Sequence, residues 1–149
     1  MSRRKGRILA FQALYSYDVG NIKLEDLLKF EWENNDFSDS SESKNDEAKD
    51  LNSDSYTFAR LLISGTIENL DKIDEVIKKH LSSKWELERI NKVSLAILRI
   101  SIYSLMFQSD IPQKVVIDEA VAISKEYGED DSFKFINGVL DNVRKEINS

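Results

Sequence analysis

Between residues 93 and 107 the apolar positions recur on three stripes at once. Val93, Ile97 and Ile100 form one; Ala96, Ile100, Tyr103 and Phe107 a second; Leu95, Leu98, Ile102 and Leu105 a third. Spacing by three and four marks an α-helix, and three stripes leave little polar face, so the pattern predicts a core helix enclosed by protein on nearly all sides. The run is long for a strand. It is too short, and too interrupted by Ser94, Arg99, Ser101 and Ser104, to span a bilayer. An enclosed helix needs other helices around it.

The rest of the chain supplies them. Residues 3–19 predict a first helix, with Ile8, Phe11 and Tyr15 on one stripe, Ala10, Leu14 and Tyr17 on another, and Gln12 and Ser16 as a narrow polar strip. Gly20-Asn21 is a stop signal. Leu24, Leu28 and Trp32 suggest a second helix. A long pattern follows, Ala59, Ile63, Thr66, Leu70, Ile73, Ile77 and Leu81, with Asp54 or Ser55 to cap it and Gly65 as the site of a close contact or a bend. Pro112 suits the first turn of a helix with the seam Val116, Ala120, Ile123 and Tyr127, stopped by Gly128. Asp130, Asp131 and Ser132 offer caps for a last helix with the seam Phe133, Ile136, Leu140, Val143 and Ile147. No stretch alternates like a strand, so the fold class is all-α. The 149 residues predict one domain, 1–149.

Charge changes this picture in two places. Residues 1–17 carry Arg3, Arg4, Lys5 and Arg7 and no acid, a basic arm over residues 1–7. Residues 31–54 carry nine carboxylates against Lys44 and Lys49, and the stretch from about 34 to 55 is nearly free of apolar residues. Such a stretch cannot offset its ordering entropy and reads as a mobile acidic loop. The net charge of -6 argues against a general polyanion binder. A local anion site is compatible with it, because screening confines each patch to about 8 Å. No cysteine is present, which fits a reducing compartment. The basic N-terminus lacks a signal-peptide apolar core, so the expected location is cytoplasmic.

Catalytic constellations are scarce. His80 is the only histidine, and its helical setting between Lys79 and Leu81 fits a surface or half-buried side chain. There is no zinc-protease, phosphate-loop or dinucleotide motif. Adjacent acids such as Asp118-Glu119 point about 100° apart on a helix and make no acid–base pair by adjacency. No catalytic residue, metal or cofactor is expected.

Two features fit nucleic acid. Arginine forks match phosphate and stack on bases, which suits the arm. A frayed, solvated terminus explains it equally well. Because basic residues oppose the dipole at a helix start, the arm is expected to order only when an anion arrives. On a wheel of the last helix, Asp131, Lys134, Phe135 and Gly138 fall opposite the seam. An aromatic beside a lysine, with glycine allowing close approach, is what single-stranded RNA recognition uses. Packing of Phe135 on a neighbouring helix is the bland alternative. Asn137-Gly138 also reads as a hairpin turn, but the seam continues across it.

The chain resembles the NusB family of bacterial transcription antitermination proteins. The likeness covers nearly its whole length and is weakest across the acidic loop. It rests on Gln12-Ala13-Leu14-Tyr15 after the basic cluster, on Ala96-Ile97-Leu98-Arg99-Ile100, on Ile111-Pro112-Gln113-Lys114-Val115-Val116-Ile117-Asp118-Glu119-Ala120, and most specifically on Asp131-Ser132-Phe133-Lys134-Phe135-Ile136-Asn137-Gly138-Val139-Leu140-Asp141. The resemblance implies two small three-helix-type bundles sharing a core. It implies binding of boxA-type single-stranded RNA in ribosomal RNA leader transcripts, together with the ribosomal protein NusE, inside an RNA polymerase antitermination complex. The RNA contacts it implies are Arg3, Arg4, Lys5, Arg7, Gln12, Tyr15, Asp131, Lys134 and Phe135. Departures from the family pattern are Gly6 for alanine, Ser104 for glutamate, Gln113 for tyrosine and Asp118 for asparagine.

The expectation is therefore a non-enzymatic RNA-binding adaptor. One rival is a helical module that binds protein only. Another is the helical domain that precedes the catalytic domain of some RNA cytosine methyltransferases. With the chain ending at Ser149 there is no room for a cofactor-binding sheet, so methylation is not expected. Oligomeric state, a homodimer included, is not legible in the sequence.

Overall fold

The computed structural model describes residues 2–30, 53–81 and 87–149. Among them are seven α-helices and no strand: α1 (Ser2–Gly20), α2 (Leu24–Leu27), α3 (Asp54–Glu68), α4 (Leu70–Lys79), α5 (Lys92–Phe107), α6 (Gln113–Tyr127) and α7 (Ser132–Asn148). Trp32, Trp85 and residues 34–52 of the acidic stretch lie outside the described residues.

The central helix is α5. Asn91 starts it: the amides of Val93 and Ser94 donate to its Oδ1 at 2.9 and 3.2 Å, which satisfies two of the orphan donors of the first turn. Every residue from Ser94 to Leu105 is buried. Helices α1, α3, α4, α6 and α7 all pack on it, which is the enclosure its three stripes demand. Helices α1, α2 and α3 group on one side and α6 with α7 on the other, so α5 is shared between two bundles. Arg99 is drawn into this core because Nε and Nη2 each donate to Asp74 at 2.9 Å. Two departures from the family pattern have partners: Ser104 Oγ donates to Gln108 Oε1 at 2.6 Å, and Gln113 exchanges amide hydrogen bonds with Asn148.

Three expectations need correction. The long pattern from 54 to 81 is two helices. Asn69 breaks it: its backbone leaves helical geometry at φ -113° and ψ 21°, and its side-chain Nδ2 donates to the Gly65 carbonyl at 2.8 Å, a local bond that competes with continued helix. The position before α3 is Ser53, not Asp54 or Ser55, and it makes no side-chain cap bond. The second helix is one turn long. The chain leaves it through Phe30 at φ 59°, whose fully buried ring meets Tyr56 edge-on at 4.9 Å.

Gly65 permits the α3–α5 contact: a Cβ there would lie 2.2 Å from Tyr103 Cζ. Gly138, mid-helix in α7, has nothing within 4 Å of an added Cβ. Gly65→Ala should therefore lose about 1–3 kcal/mol by overpacking, and Gly138→Ala should gain about 0.5–1 kcal/mol of helix propensity. Urea unfolding of the two variants checks both signs.

Candidate nucleic-acid interface

The first turn of α1 lies against α3 and α6. Gly6 makes this approach: a Cβ there would meet Phe58 Cδ2 at 2.8 Å and the Ser55 carbonyl oxygen at 3.0 Å. Arg4 reaches α6, where Nε and Nη2 donate to the two carboxylate oxygens of Glu119 at 2.8 and 2.7 Å. That hydrogen-bonded pair holds the Glu119 carboxyl below its ordinary range and raises the Arg4 guanidinium. Arg3 lies 4.3 Å over the Phe58 ring and Lys5 5.1 Å over Tyr56. Cations on ring faces, and one answered by a carboxylate, offset the unfavourable dipole term. The arm is thus a helical turn with partners of its own, and the expectation of order only on anion binding is corrected.

Arg3, Arg4 and Lys5 are exposed. Arg7 and Gln12 are not: they are 7% and 6% exposed. Arg7 is covered because Gly6 brings α3 close. Its guanidinium stacks 5.2 Å from Phe58, with Glu119 4.0 Å away, and burial lowers its pKa. Gln12, expected on a polar strip, lies on a helix with α3, α5 and α6 around it. Direct contact by either residue does not fit this burial. Tyr15 is half-buried and packs on the core. It sits roughly 16 Å along the helix from Arg4, by rise per residue, and so is not part of the arm cluster.

The start of α7 gathers Asp131, Lys134 and Phe135. Asp131 adopts φ 70°, a left-handed conformation that aspartate tolerates, and makes no side-chain cap bond. Its carboxylate lies 3.6 Å from the Lys134 ammonium, with both side chains at least 70% exposed. Ser132 Oγ donates to the Glu129 carbonyl at 2.7 Å, which fixes the turn from the other side. Phe135, expected opposite the seam, is instead half-buried and packs on the core, as in the bland alternative; it also lines a cleft of about 230 Å³ with Arg89, Asn91, Ser94, Glu129 and Ser132. Helix α7 continues through Asn137-Gly138, so these residues are no hairpin, and Gly138 faces open space.

The seam of α7 is rotated from the expected one. Val139 joins Ile136, Leu140 and Val143 in the core, because α7 is covered by both α5 and α6. Ile147 is 41% exposed near the helix end. Phe133, expected in the seam, is half-buried and is not among the described residues that pack on the core. It lies instead under Lys125 of α6, whose ammonium is 4.8 Å from the ring centroid. Helix α6 thus stands between the two basic features, meeting the arm at Glu119 and the start of α7 at Lys125. Sequence reasoning missed Tyr56, Phe58, Glu119 and Lys125. No spacing signal links residue 4 to residue 119, which are neighbours only after folding.

Among the described residues no helix is long and apolar enough to cross a membrane, and no group of three or more potential metal ligands occurs. The NusB family profile matches residues 4–145. A transcription antitermination protein NusB of Treponema denticola is 47% identical over 144 residues, spanning 97% of this chain and 96% of that protein. A T. maritima NusB structure superposes with a TM-score of 0.76 at 36% identity, covering 97% of this chain and 91% of the other. A structure of antitermination factors NusB and NusE in complex with double-stranded RNA superposes with a TM-score of 0.77 at 28% identity, covering 97% of each chain. With its profile matched almost end to end and its fold shared, the chain belongs to the NusB family.

Proposed function

We propose that this chain is an RNA-binding transcription antitermination factor, acting with the ribosomal protein NusE on boxA-type RNA in an RNA polymerase antitermination complex. The observation that carries the reading is the family match over residues 4–145. It is a reading of an adaptor that performs no chemistry. Arg3 and Lys5 supply phosphate contacts from the arm. Arg4 adds charge, with two of its donors already on Glu119. Lys134 holds a phosphate beside Phe135, on which an unstacked base lies. Single strands suit this better than a duplex, whose bases are already stacked on one another. Asp131 restrains affinity by repulsion. Arg7 and Gln12 position the arm from inside, and Tyr15 belongs to a separate surface.

Salt dependence tests the phosphate contacts. Three contacts, from Arg3, Lys5 and Lys134, predict a slope of log affinity on log salt of about -2 for single-stranded RNA. Replacing Arg3 and Lys5 by alanine should flatten the slope to about -0.7 and weaken all RNA sequences alike. An unchanged slope would place the phosphate contacts elsewhere.

A further inference from the structure

Phe133 sits outside the packed core, yet it is a large apolar ring at the start of an otherwise polar helix face. With Lys125 it lines a groove of about 510 Å³ between α6 and α7. Val121 and Ala122 contribute apolar wall, and Lys134 and Asn137 contribute polar groups. The remaining lining residue, Asp118, is bridged by Lys114 at 3.1 Å. Among the lining residues Lys125 and Lys134 stand against Asp118 alone, a local excess of one positive charge in a chain whose net charge is -6, although Lys134 also lies 3.6 Å from Asp131. A ring face, an amide that both donates and accepts, and ammonium groups at the rim match a nucleobase with its phosphates.

We propose that this groove is a second base-binding site for single-stranded RNA, with Phe133 as its stacking platform. The proposal rests on the RNA-binding reading above and extends it to residues that the reading does not use. Lys134 joins the two sites. It follows Phe133 and precedes Phe135, about 100° round the helix from each. A strand that crosses the start of α7 lays one base on Phe135 and another on Phe133, with Lys134 on the phosphates between. The base takes the ring face that Lys125 covers, and the Lys125 ammonium turns to a neighbouring phosphate, a fourth contact that takes the salt slope from about -2 to about -2.8 when this site is occupied. Asn137 reads the base edge.

The test uses the full chain and an RNA series with a single abasic site moved along the strand. Phe133→Leu keeps apolar bulk and removes the ring face; Phe133→Tyr keeps the ring. Phe133→Leu should melt close to wild type and bind the intact RNA about 5- to 150-fold more weakly, the usual worth of one base stack. Phe133→Tyr should bind as wild type. One abasic position should weaken the wild type by that factor and leave Phe133→Leu unaffected, and it should differ from the position coupled to Phe135. Wild-type RNA binding with Phe133→Leu unchanged, or with no abasic position coupled to it, overturns the site alone. A wild-type chain that binds no single-stranded RNA overturns the functional reading and the site together.

Discussion

Replacing Ile100 by aspartate should leave no cooperatively folded protein. Ile100 is 2% exposed, in the middle of twelve consecutive buried residues of α5. The substitution removes a packed aliphatic side chain, worth about 2–5 kcal/mol on truncation alone. It also places a carboxylate among apolar side chains from two bundles. The nearest cation in sequence, Arg99, already donates to both oxygens of Asp74. An unpaired buried charge adds several kcal/mol more, and the sum reaches the total stability of an ordinary domain, about 5–15 kcal/mol. Circular dichroism during heating should show a featureless decline. A sigmoidal melt near the wild-type temperature would contradict the placement of α5.

Asp74→Ala should cost about 3–5 kcal/mol, the usual penalty for removing one partner of a buried ion pair. Arg99 is 6% exposed and enters the core from α5, while Asp74 approaches from α4. With Asp74 gone, the remaining carboxylate near the guanidinium is that of Asp18, 3.9 Å from Nη1 and also bridged to Lys92 at 3.3 Å. One distant carboxylate does not replace two 2.9 Å hydrogen bonds. The double variant Asp74→Leu/Arg99→Met removes both charges and should be more stable than Asp74→Ala, because no charge is left buried. Urea unfolding of single and double variants measures the difference. A single variant within about 1 kcal/mol of wild type would mean that the pair behaves as an exposed one.

These effects explain which parts of the fold were legible in the sequence. The stripes of α5 were, because a helix enclosed on every side writes its surroundings into every position. The break at Asn69 was not, since the apolar spacing of Thr66, Leu70 and Ile73 runs through it and only a side-chain-to-carbonyl bond interrupts the helix. Phe133 misled for a related reason: it has the right spacing to be a core residue, but the seam of α7 turns toward Val139 where α5 and α6 both cover it. In the sequence Gly6 stands out only as a departure from the family's alanine. It is the contact that lets α3 approach and bury Arg7, which depends on Phe58, about fifty positions away. The candidate site was legible as residue types, a basic arm and an aromatic beside a lysine. Its geometry depends on Glu119 and Lys125, which only the tertiary arrangement brings to those residues.

The central claim is that RNA, this chain and the ribosomal protein NusE bind one another as a unit. The most direct test is the affinity of the chain for boxA-type RNA and for a scrambled RNA of equal length, each with and without saturating NusE. With a net charge of -6, the chain alone should bind weakly. NusE should tighten binding of the boxA-type RNA, and by linkage that RNA should tighten the protein pair by the same factor. Equal affinities for the two RNAs in the presence of NusE, or a boxA affinity that NusE leaves unmoved, would contradict the account.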